Sequence, residues 1–509
     1  MRSKAISCGV STKIFYRCRG IQKQKLFIAK SYKSSTIVLE SFYKKKIFMQ
    51  PEKSKGFIKR FYHLNPSEVL KLAVGGVLFF LIIASYTLCQ ELKYGIFSLI
   101  VGTYHIPSAK LLAIVFIIPA IMLDGFLVNT FKRHQLVILY TSFFGFLGLL
   151  MSYFISHPEI GISNLNKDSS RIFGWIFFIY VEAFSPFLLG VFWAFMNSIH
   201  KPDNAQNTYG FIVSFSKLGG IIMAVSAYLF LSNNRYLSTN ISDVNKIVIV
   251  FTCASFLLLA AALYLGMMIS KLNLKELKGY YAASGEKSSR TGILYGIKVL
   301  LRNRYVLGIF LIVLLGDIIS EILNYKRVSA VMNTKSEGGS FCLSISELYL
   351  QIIYMQTIGF FISIFLTNGL MRFLGTKYCL YIMPCITLVF SLVYIVLRND
   401  QVIIWLYILS KAMYYTLGSP IRESLYIVTT KDIQFKAKFV IDALGTKLAR
   451  NTGQTINYGL NMLSKHVGHT SSIIALNFLF IAIPLLWVVV ALYVSNIYQK
   501  TLDNDEVIS

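Results

Sequence analysis

Roughly twelve apolar stretches of membrane-crossing length occupy the chain between Leu70 and Ile497, and ionisable residues stand inside several of them: Lys93, Glu182, Glu321 and Arg422. The apolar runs are continuous rather than alternating, so they predict helices. A lipid-embedded backbone must satisfy its own hydrogen bonds, which leaves helices or a closed barrel, and continuous runs exclude the barrel. A charge at bilayer depth costs about 2.5–3.5 kcal/mol on insertion scales. It persists where it faces a bundle interior or an aqueous path, which is the pattern of a transporter.

Composition agrees with one large membrane bundle rather than a string of soluble domains. Of 509 residues, 55% are hydrophobic and 14% charged, and the mean hydropathy is +0.60. The seven cysteines are scattered, form no CxxC pair and have no histidines at metal-ligand spacing, so free thiols and no metal are expected. The net charge of +27 suggests nucleic acid at first sight. Residues 1–63 alone hold sixteen Lys and Arg against Glu40 and Glu52, a surplus of fourteen, and the remainder is ordinary for basic cytoplasmic loops. No nucleic-acid partner is expected. No P-loop, GxGxxG, HExxH or GxSxG motif is present, so neither a cofactor nor a catalytic residue is predicted, and the chain does not read as an enzyme.

The expected organisation is a basic N-terminal extension (1–63), a six-helix half (64–270), a basic cytoplasmic linker (271–304), a second six-helix half (305–497) and a cytoplasmic tail (498–509). Candidate spans are 69–90, 109–131, 135–156, 172–198, 208–232 and 247–270, then 305–324, 346–369, 376–397, 402–427, 438–462 and 473–497. Within the linker, GILYGIKVLLRN has the spacing of a short helix lying at the inner membrane surface. An even number of spans puts both termini on the linker's side, the cytoplasm, by the positive-inside rule. Residues 1–48 have few acids and several Ser and Thr, a composition shared with organelle transit peptides; Met49 is the alternative start, as in a bacterial inner-membrane protein. The halves echo each other weakly: CQELKY (89–94) with SEILNY (320–325), TFKRHQLVILY (130–140) with FLGTKYCLYIM (373–383), and SPFLLG (185–190) with SPIRES (419–424). The fold expected is an all-α polytopic, major-facilitator-like bundle.

Glu182 sits mid-span, four residues before Pro186, where a lost backbone hydrogen bond bends the helix; its carboxylate suits either an exchangeable charge or a structural ion pair. Glu321 follows Asp317 by one helical turn, so two carboxylates share a face. Lys93 closes the first apolar run, where it either lines the path or snorkels to the headgroups. Arg422 lies in the polar insertion GSPIRES; its fork suits a phosphate, and Glu423 is its alternative, structural partner. The segment 429–454 is polar for a span, with Lys436, Lys438, Asp442, Lys447, Arg450 and Gln454, so one helix face must meet water or substrate, while Gly445 and Gly453 permit close helix contact. Lys217 is a further candidate anion contact in the first half.

Two blocks carry a resemblance. FWAFMNSIHKPDNAQNTYGF (192–211) and YYTLGSPIRESLYIVTTKDIQFKAKFVIDALGTKLARNTG (414–453) resemble conserved stretches of the nucleotide transport proteins of intracellular bacteria and plastids, the ATP/ADP translocase family. The resemblance implies alternating-access transport of nucleotides, by NTP/NDP antiport or coupled to protons. It assigns substrate handling to Lys93, Glu182, Glu321 and Arg422, with Asn197, Lys436, Lys447 and Arg450 at matching positions. Arg422 stands where the family has lysine; Gln90-Glu91-Leu92-Lys93-Tyr94 lacks one cation of the family's first-span motif, and Tyr414 and Ser419 replace a Lys and an Asp. Fewer cations widen the substrate range to another nucleotide, NAD or a less charged phosphorylated anion. A proton-coupled carrier of another organic anion remains the alternative, with a polytopic membrane enzyme a distant third.

Overall fold

The computed structural model describes residues 66–199, 202–232, 241–271, 298–334, 340–362, 374–426, 428–430, 433, 437–504 and 508. The N-terminal extension, residues 272–297 of the expected linker, and Lys436 lie outside them; of the expected interfacial helix, residues 298–302 are described and are helical. Among the described residues twelve helical rods follow in order. They are α1 Pro66–Ile100, α2 Ile106–Thr130, α3 Arg133–Ser156, α4 Ile172–Ile199, α5 Pro202–Leu231 and α6 Asp243–Lys271. The second six are α7 Arg304–Thr334, α8 Phe341–Phe361, α9 Gly375–Leu397, α10 (400–425), α11 (438–466) and α12 His469–Asp503. Eight described helices are individually long and apolar enough to cross a membrane. No strand occurs among the described residues, only an isolated parallel bridge between Thr429 and Ile508.

The fourth helix of each half carries a wide turn. In α4 a π-helical segment runs Ser185–Leu189 around Pro186, and in α10 another runs Tyr414–Gly418 just before Pro420. Proline lacks the N–H for an i→i−4 bond, and a π turn is one way to absorb that loss. Pro119, Pro384 and Pro484 sit in helices without such a turn, so proline alone does not produce it. The two SP segments that echo each other in sequence therefore also share a local geometry.

Burial separates inner rods from outer ones. In the most apolar window of α7, 72% of the residues are buried, and in that of α1, 61%, against 28% in α9 and 33% in α12. Exposed Phe143, Phe146 and Tyr153 on α3 and Phe478 and Val489 on α12 are the lipid-facing surface such a bundle requires. Across the halves α2 packs on α11 and α5 on α8. The close approach of α1 to α8 rests on Gly95, where a Cβ would lie 2.5 Å from Ile345 Cγ1.

Cohesion between the halves is concentrated at the end remote from the chain termini. One buried apolar cluster joins Leu88, Leu92 and Phe97 of α1 to Tyr325 and Val328 of α7 and Leu348 and Tyr349 of α8. Tyr305, Val306 and Ile309, at the opposite end of α7, belong to a cluster drawn from the second half alone. The turn from α1 to α2 is short because Gly102 takes φ +110°, and the N–H groups of Val101 and Gly102 both donate to the carbonyl of Phe97. That turn sets Lys110 early in α2, beside α7.

Candidate functional site

Four charges meet where α1, α2, α4 and α7 converge. Lys93 Nζ lies 2.5 Å from Glu182 Oε2 and donates to Gln90 Oε1 at 2.8 Å, one turn back on its own helix. Lys110 Nζ lies 2.8 Å from Glu321 Oε2. Both ammonium groups flank one aromatic ring, that of Tyr94, at 4.7 Å and 5.4 Å from its centroid. The charges of Lys110 and Glu321 also bear on Glu182, so the two pairs form a single cluster. Lys93, Lys110 and Glu182 come from the first half and Glu321 from the second. Lys93 is buried, whereas the Glu182 side chain is 32% exposed.

Two polar stripes hold Glu321 in place. On α7, Asp317, Glu321 and Asn324 recur at helical spacing, and on α11 Arg450, Gln454, Asn457 and Asn461 do the same. Gln454 Nε2 donates to Glu321 Oε2 at 2.6 Å, Asn457 Nδ2 to the Glu321 carbonyl at 3.2 Å, and Asn461 Nδ2 to the Tyr325 hydroxyl at 2.7 Å. The helices approach this closely because Gly453 faces Ile318 and Glu321. The polar face expected in 429–454 thus has two uses: part packs on α7, while Lys447 and Arg450 are exposed. The charges of Lys411 and Arg450 bear on both Asp317 and Glu321.

The structure brings Lys93, Glu182 and Glu321 together and sets Arg422 elsewhere. Arg422 follows the π turn of α10, half-buried, with Nη1 donating to the Tyr414 hydroxyl at 3.4 Å and Nε 4.0 Å from Asp442 Oδ1. Glu423, the alternative structural partner considered for Arg422, pairs instead with Lys438 at 2.7 Å, because adjacent helical residues point apart. Asn197 is exposed near the end of α4 and accepts a hydrogen bond from the Tyr209 hydroxyl at 2.6 Å, bracing the connection to α5. Lys217 is exposed on α5. Lys93 does not snorkel: α1 continues to Ile100, seven residues beyond it, and its side chain is 1% exposed.

Sequence reading missed Lys110, Lys411 and the pair Glu91–Arg327. Lys110 heads an apolar run, where a lysine reads as an interfacial anchor, and its partner lies 211 positions away. Arg327 fell beyond the expected span end at 324, but α7 runs on to Thr334 and buries it completely. Among the described residues no group of three or more His, Cys, Asp and Glu side chains is placed to hold a metal ion.

Two six-helix halves joined around a central charge cluster define a membrane transporter of major-facilitator architecture. A bacterial homologue of the iron transporter ferroportin, solved in an inward-facing state, matches the fold with a TM-score of 0.56 at 13% identity, covering 84% of this chain and 98% of that one. The family profile for the TLC ATP/ADP transporter matches residues 48–498, and the chain belongs to that family, making it a transporter of nucleotides. ADP,ATP carrier protein 4 of Rickettsia bellii is 23% identical over 518 aligned positions, covering 89% of this chain and 95% of the relative. ADP,ATP carrier protein 3 of Rickettsia typhi is 22% identical, covering 62% of this chain and 68% of the relative.

Proposed function

We propose that the chain exchanges nucleotides such as ATP and ADP across a bacterial inner membrane by alternating access, with Lys93 meeting the phosphates and Glu182 and Glu321 coupling occupancy to movement of the halves. Arg422, Lys447 and Arg450 supply further positive charge on the second half, and the matched position of Lys436 adds to it. The observation that carries this reading is the charge cluster built across the half interface, with Glu321 of α7 held to Lys110 of α2 at 2.8 Å. Buried opposite charges are stable while paired and costly when separated, by about 3–5 kcal/mol for one lost partner. A reorientation that separates Lys110 from Glu321 is therefore unfavourable unless another anion takes the vacated place. A nucleotide phosphate is such an anion, and a carrier that moves only when loaded is an exchanger.

The test is uptake of labelled ATP, ADP, GTP, UTP and NAD into intact bacterial cells expressing the chain, with and without preloaded counter-substrate and a proton uncoupler. Saturable uptake stimulated by preloading is expected. Absence of uptake for every nucleotide, with membrane insertion verified, would remove this reading. A second reading has its own support: Asp317 is 2% exposed and its Oδ2 has no hydrogen-bond partner among the described residues, as suits a carboxyl that carries a proton. Uptake abolished by the uncoupler and indifferent to preloading would favour proton-driven import over exchange.

A further inference from the structure

We propose that Lys110 is a phosphate-binding residue of the transport site, and that Glu321 is the resident anion that occupies it while the carrier is empty. The inference rests on the nucleotide reading above and adds a residue that no sequence motif assigns. Three observations carry it. First, Lys110 shares its location with Lys93: both ammonium groups sit on the ring of Tyr94, and the four charges of the cluster sum to zero. A neutral cluster is stable when empty, but it accepts a polyanion only if its own carboxylates give up their lysines. Phosphate and carboxylate oxygens are equivalent acceptors for an ammonium donor, so the exchange replaces one charge-assisted bond by another.

Second, Glu321 has somewhere to go. Its Oε2 already accepts from Gln454 Nε2 at 2.6 Å, and the charges of Lys411 and Arg450 bear on it from α10 and α11. When Lys110 turns to a phosphate, Glu321 remains hydrogen-bonded within its own half. Third, the pair crosses the half interface whereas Lys93–Glu182 does not. Displacing Glu321 therefore cuts a strut between the halves in the same event that binds the ligand. A ligand shifts a conformational equilibrium only by its differential interaction with the two states, and this displacement supplies one. Lys110 is thus both a substrate contact and the point where binding reaches the interface between the halves.

The alternative is a purely structural strut, and nucleotide phosphate count separates the two. The experiment measures binding of ATP, ADP and AMP to the purified full-length carrier in lipid nanodiscs, for wild type, Lys110→Gln and Glu321→Gln, with monodispersity checked for each. For Lys110→Gln the expected result is a loss of about ten-fold or more in ATP and ADP affinity and a smaller loss for AMP. Glu321→Gln removes the competing carboxylate, so it should bind ATP more tightly than wild type while exchanging it more slowly in proteoliposomes. A structural strut predicts weaker binding for both variants and equal losses for all three nucleotides; either result overturns the proposal. The sign of the Glu321→Gln effect decides alone if Lys110→Gln does not fold. Wild-type carrier that binds none of the three nucleotides would instead overturn the nucleotide reading, and this inference with it.

Discussion

Arg327 of α7 and Glu91 of α1 form a buried ion pair across the two halves, Nη2 to Oε2 at 3.1 Å, with Arg327 fully buried and Glu91 only 5% exposed. The guanidinium also donates to Gln351 Oε1 at 3.2 Å and Asn324 Oδ1 at 3.2 Å, and lies 4.6 Å from the ring centroid of Tyr407. Asn324 Nδ2 donates in turn to the Tyr94 hydroxyl at 3.1 Å, which links this pair to the ring that carries both lysines. The fit is incomplete: Arg327 Nε and Gln351 Nε2 are buried without acceptors among the described residues. A buried pair that crosses an interface and leaves donors unmet holds the interface closed without making it permanent.

Removing one partner of this pair should be far worse than removing both. Arg327→Ala leaves Glu91 as an uncompensated buried charge, at a cost of about 3–5 kcal/mol. The double variant Glu91→Gln/Arg327→Met should recover most of that loss in thermal unfolding of the purified protein. It should also open the end remote from the termini more often. A cysteine at Thr103, which bonds Asn333 of α7 across the interface, should then react faster with an impermeant maleimide, in a background lacking Cys8, Cys18 and the exposed Cys253 and Cys385. An unchanged labelling rate would mean that the pair does not control this end.

The contact between α11 and α7 predicts a sharp contrast between two glycines on one helix. A Cβ at Gly453 would lie 2.8 Å from Glu321 Cβ and 3.0 Å from the Ile318 carbonyl, so Gly453→Ala must push the helices apart, at about 1–3 kcal/mol. At Gly459 nothing lies within 4 Å, and Gly459→Ala should be neutral or stabilising by up to about 1 kcal/mol through helix propensity. Thermal unfolding of the two variants side by side tests the packing, and exchange activity should fall only for Gly453→Ala, because Gln454 and Asn457 lose their register on Glu321.

The parts of this architecture that follow from local physics were legible in the chain. Apolar runs bounded by polar turns gave the helices, and the isolated charges Lys93, Glu182 and Glu321 were conspicuous because a lipid-facing charge is so unfavourable. What escaped were pairings. Lys110 and Arg327 look like ordinary end-of-span cations until their partners on distant helices are known, and helix ends are where sequence patterns are weakest. Arg422 was conspicuous for the same reason as Lys93, yet it meets Asp442 and Tyr414 rather than the four-charge cluster. Periodicity reports a face, not which neighbour the face meets.

Arg422 therefore provides a test of how far the binding surface extends along the second half. If its guanidinium contacts substrate, Arg422→Ala should raise KM for ATP about ten- to hundred-fold, the range for a lost charge-assisted hydrogen bond. Arg422→Lys should be intermediate, since it keeps the charge but not the fork. Unchanged kinetics in Arg422→Ala would remove Arg422 from the binding surface.

The asymmetry of the Lys93–Glu182 pair gives the last prediction. Lys93 is 1% exposed and Glu182 is 32% exposed, although they are 2.5 Å apart. Lys93→Met leaves a carboxylate that is only partly buried, whereas Glu182→Gln leaves a fully buried ammonium with its paired anion replaced by neutral amide oxygens, that of the new glutamine and Gln90 Oε1 at 2.8 Å. Glu182→Gln should therefore be the more destabilising of the two, and Lys93→Met/Glu182→Gln should approach wild-type stability while losing exchange. The decisive measurement is the rise in unfolding temperature on adding saturating ADP. If Lys93 meets a phosphate, ADP supplies the anion that Glu182→Gln lacks, and the rise should be larger in that variant than in wild type, because binding to the folded state alone stabilises it. An equal rise in the two proteins would show that the nucleotide leaves Lys93 untouched, and would return the pair to a purely structural role between α1 and α4.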